Sequence, residues 1–502
     1  MNPNKFKSED AKVLASAVKE VVDKDRIAKH KKHMREGISY YKHRHDIEDL
    51  RFFYVDNEGT IHEETARSNI KIAHSFFTEL SDQKTQYLLS NPVEFTSEQE
   101  RLQDYLDEYI DEEFQLMLQE VVDGGNQKGY EFVYTKLGQE RLSFAVADSQ
   151  KVVQIYDENN QLIAIVRYYD SEIYKQDKPV KVTKAELWDS EKVHYFVSDE
   201  NKAYMLDDSY PINPLYLNTI VDKEKGAFGQ SLGAALNIDD FIPFLRYDNN
   251  KYQTTDLQPI KAIIDDYDLM ACSMSNNLQD YDQPFFAVKG FNSDNYENLL
   301  TNLRSRGAVG TGENGGIEVH TVNIPVEARK EKLRIDKEAI YKFGMGFDSS
   351  QVGDGNITNV VIQSRYTLLD LKCNKAEIRL RKLLKRILKL IVADINRRFN
   401  TSYTTDDLEI IIKRSTMVDE KEKEDIEKVK AEAKQVAIQT ILEAAPHLPS
   451  ETVLEMLCEQ FDLDFEEVKD LLELEPYTQG LSQGTDNEVI ENATAGQVGQ
   501  GA

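Results

Sequence analysis

The sequence is poor in cysteine and lacks long apolar runs. Its 502 residues include three cysteines, Cys272, Cys373 and Cys458, which lie far apart and form no CxxC pair. This excludes a disulfide scaffold and a thiolate zinc site, and it indicates a reducing compartment. No run approaches the roughly 20 apolar residues that a membrane-spanning helix needs, and the polar N-terminus has no signal-peptide core. We expect a soluble protein that is made in a cytoplasm and has no membrane partner.

Cationic residues are also in deficit. Lys and Arg together number 61 against 89 Asp and Glu, which gives a formal net charge of −28. This balance argues against a general non-specific DNA-binding protein, because phosphate binding needs clustered cations. Hydrophobic residues make up 40% and charged residues 30% of the chain, which is an ordinary globular balance. The length favours two to four structural units.

Motifs for nucleotide, nucleophilic or metal chemistry are scarce. Residues 310–315 match GxGxxG, but a β-type run follows them, which favours a hairpin loop over a phosphate site at a helix N-terminus. The sequence has no P-loop, GxSxG or HExxH motif. Aspartate pairs at 239–240, 265–266 and 406–407 keep a metal-dependent nuclease open as an alternative, since carboxylates hold catalytic cations. The leading expectation is a protein that is not an enzyme and has no cofactor or metal.

Hydrophobic periodicity predicts helices in the first part of the chain and strands after it. Helices are expected over residues 1–50, 68–90 and 97–123. A capping box of Ser97 and Glu100 would start the third of these helices, and Gly124-Gly125 would end it. Short β-type runs between turn signals predict an antiparallel meander of five to seven strands over 130–217.

The second half combines long helices with a small insertion, so the predicted fold class is α+β. The predicted order is a helix over 256–281, an α/β insertion over 282–324, a helix over 325–343, a polar loop over 347–358 and a very long helix over 359–399. Thr255 is the expected N-cap of the first of these helices. A strand at 408–415 is expected to join the earlier sheet, residues 417–474 to be helical, and residues 475–502 to be disordered.

The very long helix is amphipathic and basic. Leu380, Leu384, Ile387, Ile391 and Ile395 form one apolar face that we expect to be buried. The cations over 372–398 cover the remaining surface. A solvated face paired with acidic neighbours is the leading interpretation, and contacts with DNA phosphates or with an acidic neighbouring subunit are the alternatives. This helix therefore keeps open a DNA-binding scaffold that forms no ring.

The order of these elements resembles that of bacteriophage portal proteins, most closely the portal family of SPP1-type tailed phages of Gram-positive hosts. The local strings that carry the resemblance are DQKTQYLLSNPVEFTS at 82–97, IPFLRYDNN at 242–250 and RYTLLDLKCNKAEIRLRKLL at 365–384. The resemblance extends from about residue 40 to residue 470. It implies a portal-like α+β fold with a wing (1–255 with 359–416), a stem (256–281 and 325–346), a clip (282–324), a tunnel loop (347–358) and a helical crown (417–474).

The resemblance also implies a function. Portal proteins form a ring, usually of twelve subunits, at one capsid vertex of the virion, and this chain would be made in the host bacterial cytoplasm. Double-stranded DNA would pass through the channel of the ring during genome packaging and ejection. The implied partners are further copies of the chain, scaffolding protein, major capsid protein, the terminase large subunit and a head-completion or adaptor protein.

A negative chain suits a DNA conduit, because each fixed cation would add affinity for the passing phosphates and therefore friction. Asp265, Asp268 and Asp280 of the first stem helix are the expected channel-wall residues. The tunnel loop offers small polar groups and flexible glycines that suit a mobile contact with DNA. Its candidate residues are Ser349, Ser350, Gln351, Gly353, Asp354, Gly355 and Asn356.

Four cationic residues are candidates for protein contacts. Arg304 and Arg306 in the clip are expected to dock a partner protein, with an ion pair between subunits as an equal alternative. A closed ring is heterologous, so that one face of each subunit meets a different face of the next. Arg381 and Lys385 of the long basic helix are the candidate residues for that interface.

Overall fold

The structure is a computed structural model, and it describes most of the chain. The described residues are 2–65, 67–137, 141–175, 178–199, 203–216, 241–281, 285–289, 316–320, 324–348, 359–414, 417–461, 465 and 468. The chain divides into two compact units, Met1–Ser415 and Thr416–Ala502. Within the described residues, no helix has the length and apolar character that a membrane span requires.

The first unit alternates helices with antiparallel strands. Its helices are α1 (Ala11–Arg26), α2 (Lys29–Tyr41), α3 (Phe76–Leu88), α4 (Glu100–Asp107), α5 (Glu112–Lys128), α6 (Lys261–Tyr281), α7 (Val326–Gly344) and α8 (Asn359–Phe399). Its strands are β1 (Phe53–Val55), β2 (Ile61–Glu63), β3 (Glu94–Ser97), β4 (Tyr130–Leu137), β5 (Leu142–Ala147), β6 (Val152–Tyr156), β7 (Leu162–Lys175), β8 (Lys178–Trp188), β9 (Lys192–Asp199), β10 (Met205–Leu206), β11 (Leu215–Tyr216), β12 (Phe244–Asp248), β13 (Phe285–Lys289), β14 (Gly316–His320) and β15 (Leu408–Ile411). Helices packed on antiparallel sheets confirm the α+β class.

The strands between β4 and β12 form two sheets, where the sequence predicts one meander. One sheet has the order β10-β9-β8-β7-β6, with β11 also paired to β9, and the other has the order β12-β4-β5. β12 lies beyond residue 217, where the predicted meander ends. It joins β4 because Phe244 packs against aromatic residues of both sheets, with ring centroids 5.8 Å from Trp188 and 6.5 Å from Phe132.

Helix α8 occupies the range that the periodicity predicts and supplies much of the largest apolar core. Leu380, Leu384, Ile387, Ile391 and Ile395 are all fully buried. They pack in one cluster with apolar residues of α4, α5 and the β12-β4-β5 sheet. The sequence also predicts that β15 joins the meander, which is wrong, because β15 pairs with β3 in a separate two-stranded sheet.

The expected helix over 97–123 is wrong at both ends. Ser97 closes β3, two helices follow it, and Gly124-Gly125 lies inside α5. Both glycines are there because other groups approach the helix closely. A Cβ on Gly124 would lie 2.3 Å from Oε2 of Glu131, and one on Gly125 would lie 2.5 Å from Cε1 of Tyr247. The helix ends at Gly129, whose φ of 89° is left-handed and suits glycine.

Two further helix starts differ from the prediction. α3 begins at Phe76 rather than near residue 68. α6 begins at Lys261, so Thr255 is not its N-cap. A series of turns over 256–260 precedes the helix, because Pro259 has no N–H to donate.

The second unit is helical where it is described. It contains α9 (Met417–Ala444) and α10 (Ser450–Phe461), which pack against each other. The Lys434 ammonium lies 5.3 Å from the ring centroid of Phe461. Residues 475–502, for which the sequence predicts disorder, lie outside the described residues.

Candidate functional site: the stem helices and the junction at their base

Helices α6 and α7, the expected stem helices, lie side by side and antiparallel. The Lys332 ammonium of α7 pairs with Asp266 of α6. The Arg329 guanidinium, which lies nearer the start of α7, donates to the carbonyl of Ser273, which lies further along α6. Strands β13 and β14 follow α6 and precede α7, and they pair with each other. A helical pair thus carries a small β element at its far end.

A segment preceding α3 is bound along one side of α6. We call residues 68–74 the strap. Alternate backbone N–H groups of the strap donate to side chains of α6: Ser68 to Oδ1 of Asp280 at 3.1 Å, Ile70 to Oδ1 of Asn276 at 2.7 Å, Ile72 to Sγ of Cys272 at 3.2 Å and His74 to Oδ1 of Asp268 at 3.1 Å. Two residues of extended chain advance about 6.6 Å and four helical residues about 6 Å, so the two repeats match.

This ladder explains why the sequence misplaces the start of α3. Ile70 and Ala73 continue the apolar spacing of α3 backwards, which predicts helix from about residue 68. In the structure the strap is extended, and alternate N–H groups donate to side chains of α6 instead of to carbonyl groups within a helix. The available signal is the series of acceptor side chains at every fourth position of α6, from Asp268 to Asp280, of which the sequence predicts only Asp268 and Asp280 as channel-wall residues.

Asp268 is therefore not a channel-wall residue. Its side chain is 1% exposed, and its two oxygens lie 2.6 Å from Nδ1 of His45 and 2.7 Å from Nδ1 of His74. Burial raises the pKa of the Asp268 carboxyl, but the hydrogen bonds from His45 and His74 outweigh burial, so that the pKa lies below its ordinary value. A buried carboxylate held by two imidazoles is a structural anchor.

The other two expected wall residues also have partners within the subunit. Asp265 accepts a hydrogen bond from the Tyr40 hydroxyl and lies 2.8 Å from the Lys261 ammonium. Asp280 accepts from Ser68, which lowers the pKa of the Asp280 carboxyl. Both side chains stay partly exposed, and their position on a channel wall stays a prediction.

A buried ionic cluster joins the base of the stem helices to α3 and α8. Oδ2 of Asp256 lies 3.0 Å from the ammonium groups of both Lys84 and Lys372. Asn249 donates to the other oxygen of Asp256 at 2.8 Å and accepts from Lys84 at 2.5 Å. Burial raises the pKa of Asp256, but the two lysines outweigh burial and hold the pKa well below its usual range. Lys372 also donates to the carbonyl of Gly344 at the end of α7.

The start of the expected tunnel loop is anchored next to this cluster. The backbone N–H of Phe347 donates to Gln83 of α3 at 2.9 Å, and the Gln83 amide donates to the Phe347 carbonyl at 2.6 Å. The Phe347 ring stacks on Tyr366 of α8 with centroids 4.7 Å apart. The loop candidates lie outside the described residues, as do Arg304 and Arg306 of the clip. These loop candidates are Ser349, Ser350, Gln351, Gly353, Asp354, Gly355 and Asn356.

The two interface candidates of α8 differ. Arg381 is held within the subunit, because its guanidinium donates to Glu377 and to the carbonyl of Ile410, both at 2.8 Å. Lys385 is exposed and forms no ion pair with a described residue. Arg381 is thus a structural link to β15, whereas Lys385 stays an interface candidate.

The aspartate pairs do not assemble into a catalytic cluster within the described part of the chain. Asp265 and Asp266 each pair with a lysine, and the pair at 239–240 lies outside that part. Among the described residues, no group of three or more His, Cys, Asp or Glu side chains could hold a metal ion.

The sequence matches known proteins over most of its length. Residues 22–473 match the family described as "Phage portal protein, SPP1 Gp6-like". The portal protein of Bacillus phage SPP1 is 29% identical over 349 residues, which cover 69% of this chain and 66% of that protein. The portal protein of Clostridium phage phiCD119 is 24% identical over 362 residues, which cover 66% of this chain and 74% of that protein. The chain thus spans just under two thirds of its SPP1 relative.

Solved structures give a weaker likeness. The neck of a native GTA particle computed with C12 symmetry contains a chain with 11% identity and a TM-score of 0.32, covering 76% of this chain and 88% of that one. The neck of an empty GTA particle computed with C6 symmetry contains a chain with 9% identity and a TM-score of 0.35, covering 78% of this chain and 89% of that one. Both TM-scores are below 0.5, so the assignment rests on the sequence matches. The family and both curated relatives are named as portal proteins, which are structural proteins of the phage particle. This confirms the expectation that the protein is not an enzyme. The chain belongs to the SPP1 Gp6-like family of phage portal proteins.

Proposed function

We propose that this chain is the subunit of a closed ring of about twelve copies at one capsid vertex of a tailed phage. Double-stranded DNA enters the head through the channel of this ring during packaging and leaves through it during ejection. The observation that carries the proposal is the family match over residues 22–473. That range includes the stem helices, the tunnel loop and α8.

The anchored start of the tunnel loop supports a role in contacting DNA. Phe347 is fixed to α3 and α8, and the Asp256 cluster fixes α8 to the end of α7. The loop thus starts from a packed base of helices, which is the usual arrangement for functional loops. Residues 349–356 supply small polar groups with no Lys or Arg, so they can touch a polyanion without binding it tightly.

The remaining partners follow from the same family assignment. The terminase large subunit, scaffolding protein, major capsid protein and head-completion protein are the proposed binding partners. Arg304 and Arg306 are the proposed docking residues of the clip. The assembled ring would reside in the virion, after synthesis in the host bacterial cytoplasm.

Native mass spectrometry of the purified full-length chain tests the proposal, with negative-stain images of the same sample. We expect a closed ring with a central hole wide enough for duplex DNA. A chain that stays monomeric or dimeric at high concentration, and with its scaffolding protein added, would refute the ring. Steeply salt-dependent duplex binding by such a small species would favour the DNA-binding scaffold instead.

A further inference from the structure

A β-hairpin projects from the first unit without covering any core. We call residues 51–64, which contain β1 and β2, the arm. All six strand residues of the arm are exposed. The pairing of Phe53 with Glu63 and of Val55 with Ile61 places three apolar side chains on one face. These three are between 60% and 69% exposed.

The arm is ordered by its own polar contacts. Oδ1 of Asp56 accepts from the N–H groups of Glu58 and Thr60, both at 2.9 Å, and Oδ2 lies 2.7 Å from Nε2 of His62. The His62 ring stacks on Tyr54 on the face opposite Val55. An isolated two-stranded hairpin is only marginally stable in water, and an uncovered apolar face on a preformed element marks a binding surface.

Helix α8 presents an uncovered stripe of complementary composition. The stripe consists of Leu368, Leu371, Lys375, Ile378, Lys382, Lys385 and Lys389, all exposed. At about 100° per residue, their alternating spacing of three and four keeps them within about 100° of one another, on the side opposite the buried face. The apolar members are between 38% and 71% exposed. The four lysines form no ion pair with any described residue.

We propose that the arm of one subunit docks along the α8 stripe of the next subunit. Phe53, Val55 and Ile61 would cover the apolar part of the stripe, and the carboxylates of Glu58 and Glu63 would face its lysines. The arm, with one arginine and four carboxylates, is acidic where the stripe is basic, and such complementarity fixes register and excludes wrong partners. The arm is about 20 Å long and the stripe about 32 Å, so one fits along the other.

A closed ring needs this kind of pair. Heterologous contacts require two different, mutually complementary surfaces on every subunit. The arm and the stripe are such surfaces, and the strand residues of the arm and the residues of the stripe are exposed in the part of the chain that the structure describes. The inference rests on the proposed ring and adds the contact that closes it.

Disulfide trapping tests the contact. Val55→Cys and Ile378→Cys are introduced together into the full-length chain, whose three native cysteines are buried. Mild oxidation of assembled rings should link most subunits into covalent multimers on a denaturing gel. Mixing the two single-cysteine proteins should give covalent dimers only. The matched control pairs Ile378→Cys with Tyr174→Cys, an exposed position on β7, and it should give no ladder.

Charge reversal provides a second readout that does not depend on disulfide geometry. Glu58→Lys with Glu63→Lys should shift the concentration for half-assembly upward at least tenfold, and adding Lys375→Glu with Lys382→Glu should restore it. Normal rings from the reversed arm, together with no cross-link at Val55, would overturn the inference while the ring stands. That result would assign the arm to another particle protein. A wild-type chain that never forms rings would overturn both proposals.

Discussion

Replacing Asp268 by asparagine should release the strap from α6. Three N–H donors converge on this buried carboxylate, namely Nδ1 of His45, Nδ1 of His74 and the backbone amide of His74. An asparagine keeps one acceptor oxygen and turns an amide N–H group toward the remaining donors. Each buried donor left unpaired costs about 1–3 kcal/mol, so replacing the carboxylate should cost about 3 kcal/mol in all.

Hydrogen exchange measured by mass spectrometry checks this effect where it occurs. The strap amides are held by the ladder, so their exchange reports its local opening. A loss of about 3 kcal/mol corresponds to exchange faster by about 100-fold in peptides covering 68–74. Asp266→Asn is the matched control, because Asp266 lies on the same helix but pairs with Lys332 at the surface. If Asp268→Asn left exchange within threefold of the wild-type chain, the strap would owe its position to something other than this carboxylate.

Three further predictions concern the base of the stem helices and α5. Asp256→Ala should lower the free energy of unfolding by about 3–5 kcal/mol in urea denaturation, because Lys84 and Lys372 lose their shared counter-ion; an unchanged midpoint would contradict the assignment. Because the folded pKa of Asp256 lies below the ordinary 3.8, its contribution to stability is fully present above that pH and is lost as the pH falls toward the folded value. The stabilities of wild type and Asp256→Asn should therefore differ fully above about pH 4 and approach each other only as the pH falls below it. Gly125→Ala should lower the free energy of unfolding by about 1–3 kcal/mol, because the new methyl group overpacks against the Tyr247 ring. Adding Tyr247→Phe, which keeps the ring, should not restore stability. Equal urea midpoints for Gly125→Ala and wild type would show that the ring can move aside.

The sequence predicts features that depend on one long periodic pattern. α8 has the expected range of 359–399 because its buried positions recur every three or four residues over many turns. The sequence also predicts the antiparallel pairing of the β-rich part, because turn residues bound each run. It does not predict that β12 pairs with β4, because that pairing depends on contacts between Phe244 and aromatic residues far away in the chain.

The errors at the candidate site have a common physical cause, which is that burial depends on remote partners. Asp268 looks like one of several helix-surface carboxylates until His45, 223 residues away, closes over it. Gly124-Gly125 has the composition of a helix stop, yet it serves close packing with Glu131 and Tyr247. No local pattern distinguishes these cases, because the neighbouring residues alone do not define the environment.

In the proposed ring, the placement of charge would connect assembly with the passage of a polyanion. The chain has a formal charge of −28, yet the four lysines of the stripe have no ionic partner in the described part of the subunit. Left exposed, these lysines would bind DNA phosphates. Each such contact makes the logarithm of DNA affinity fall more steeply with the logarithm of salt concentration, by about 0.9 in slope. If the arm of a neighbouring subunit covers those lysines that it reaches, their share of that affinity is lost in the ring and persists in the free subunit. Completion of the ring would then remove fixed cations from the surface available to DNA, so that the contact which closes the ring also prepares it to let DNA slide.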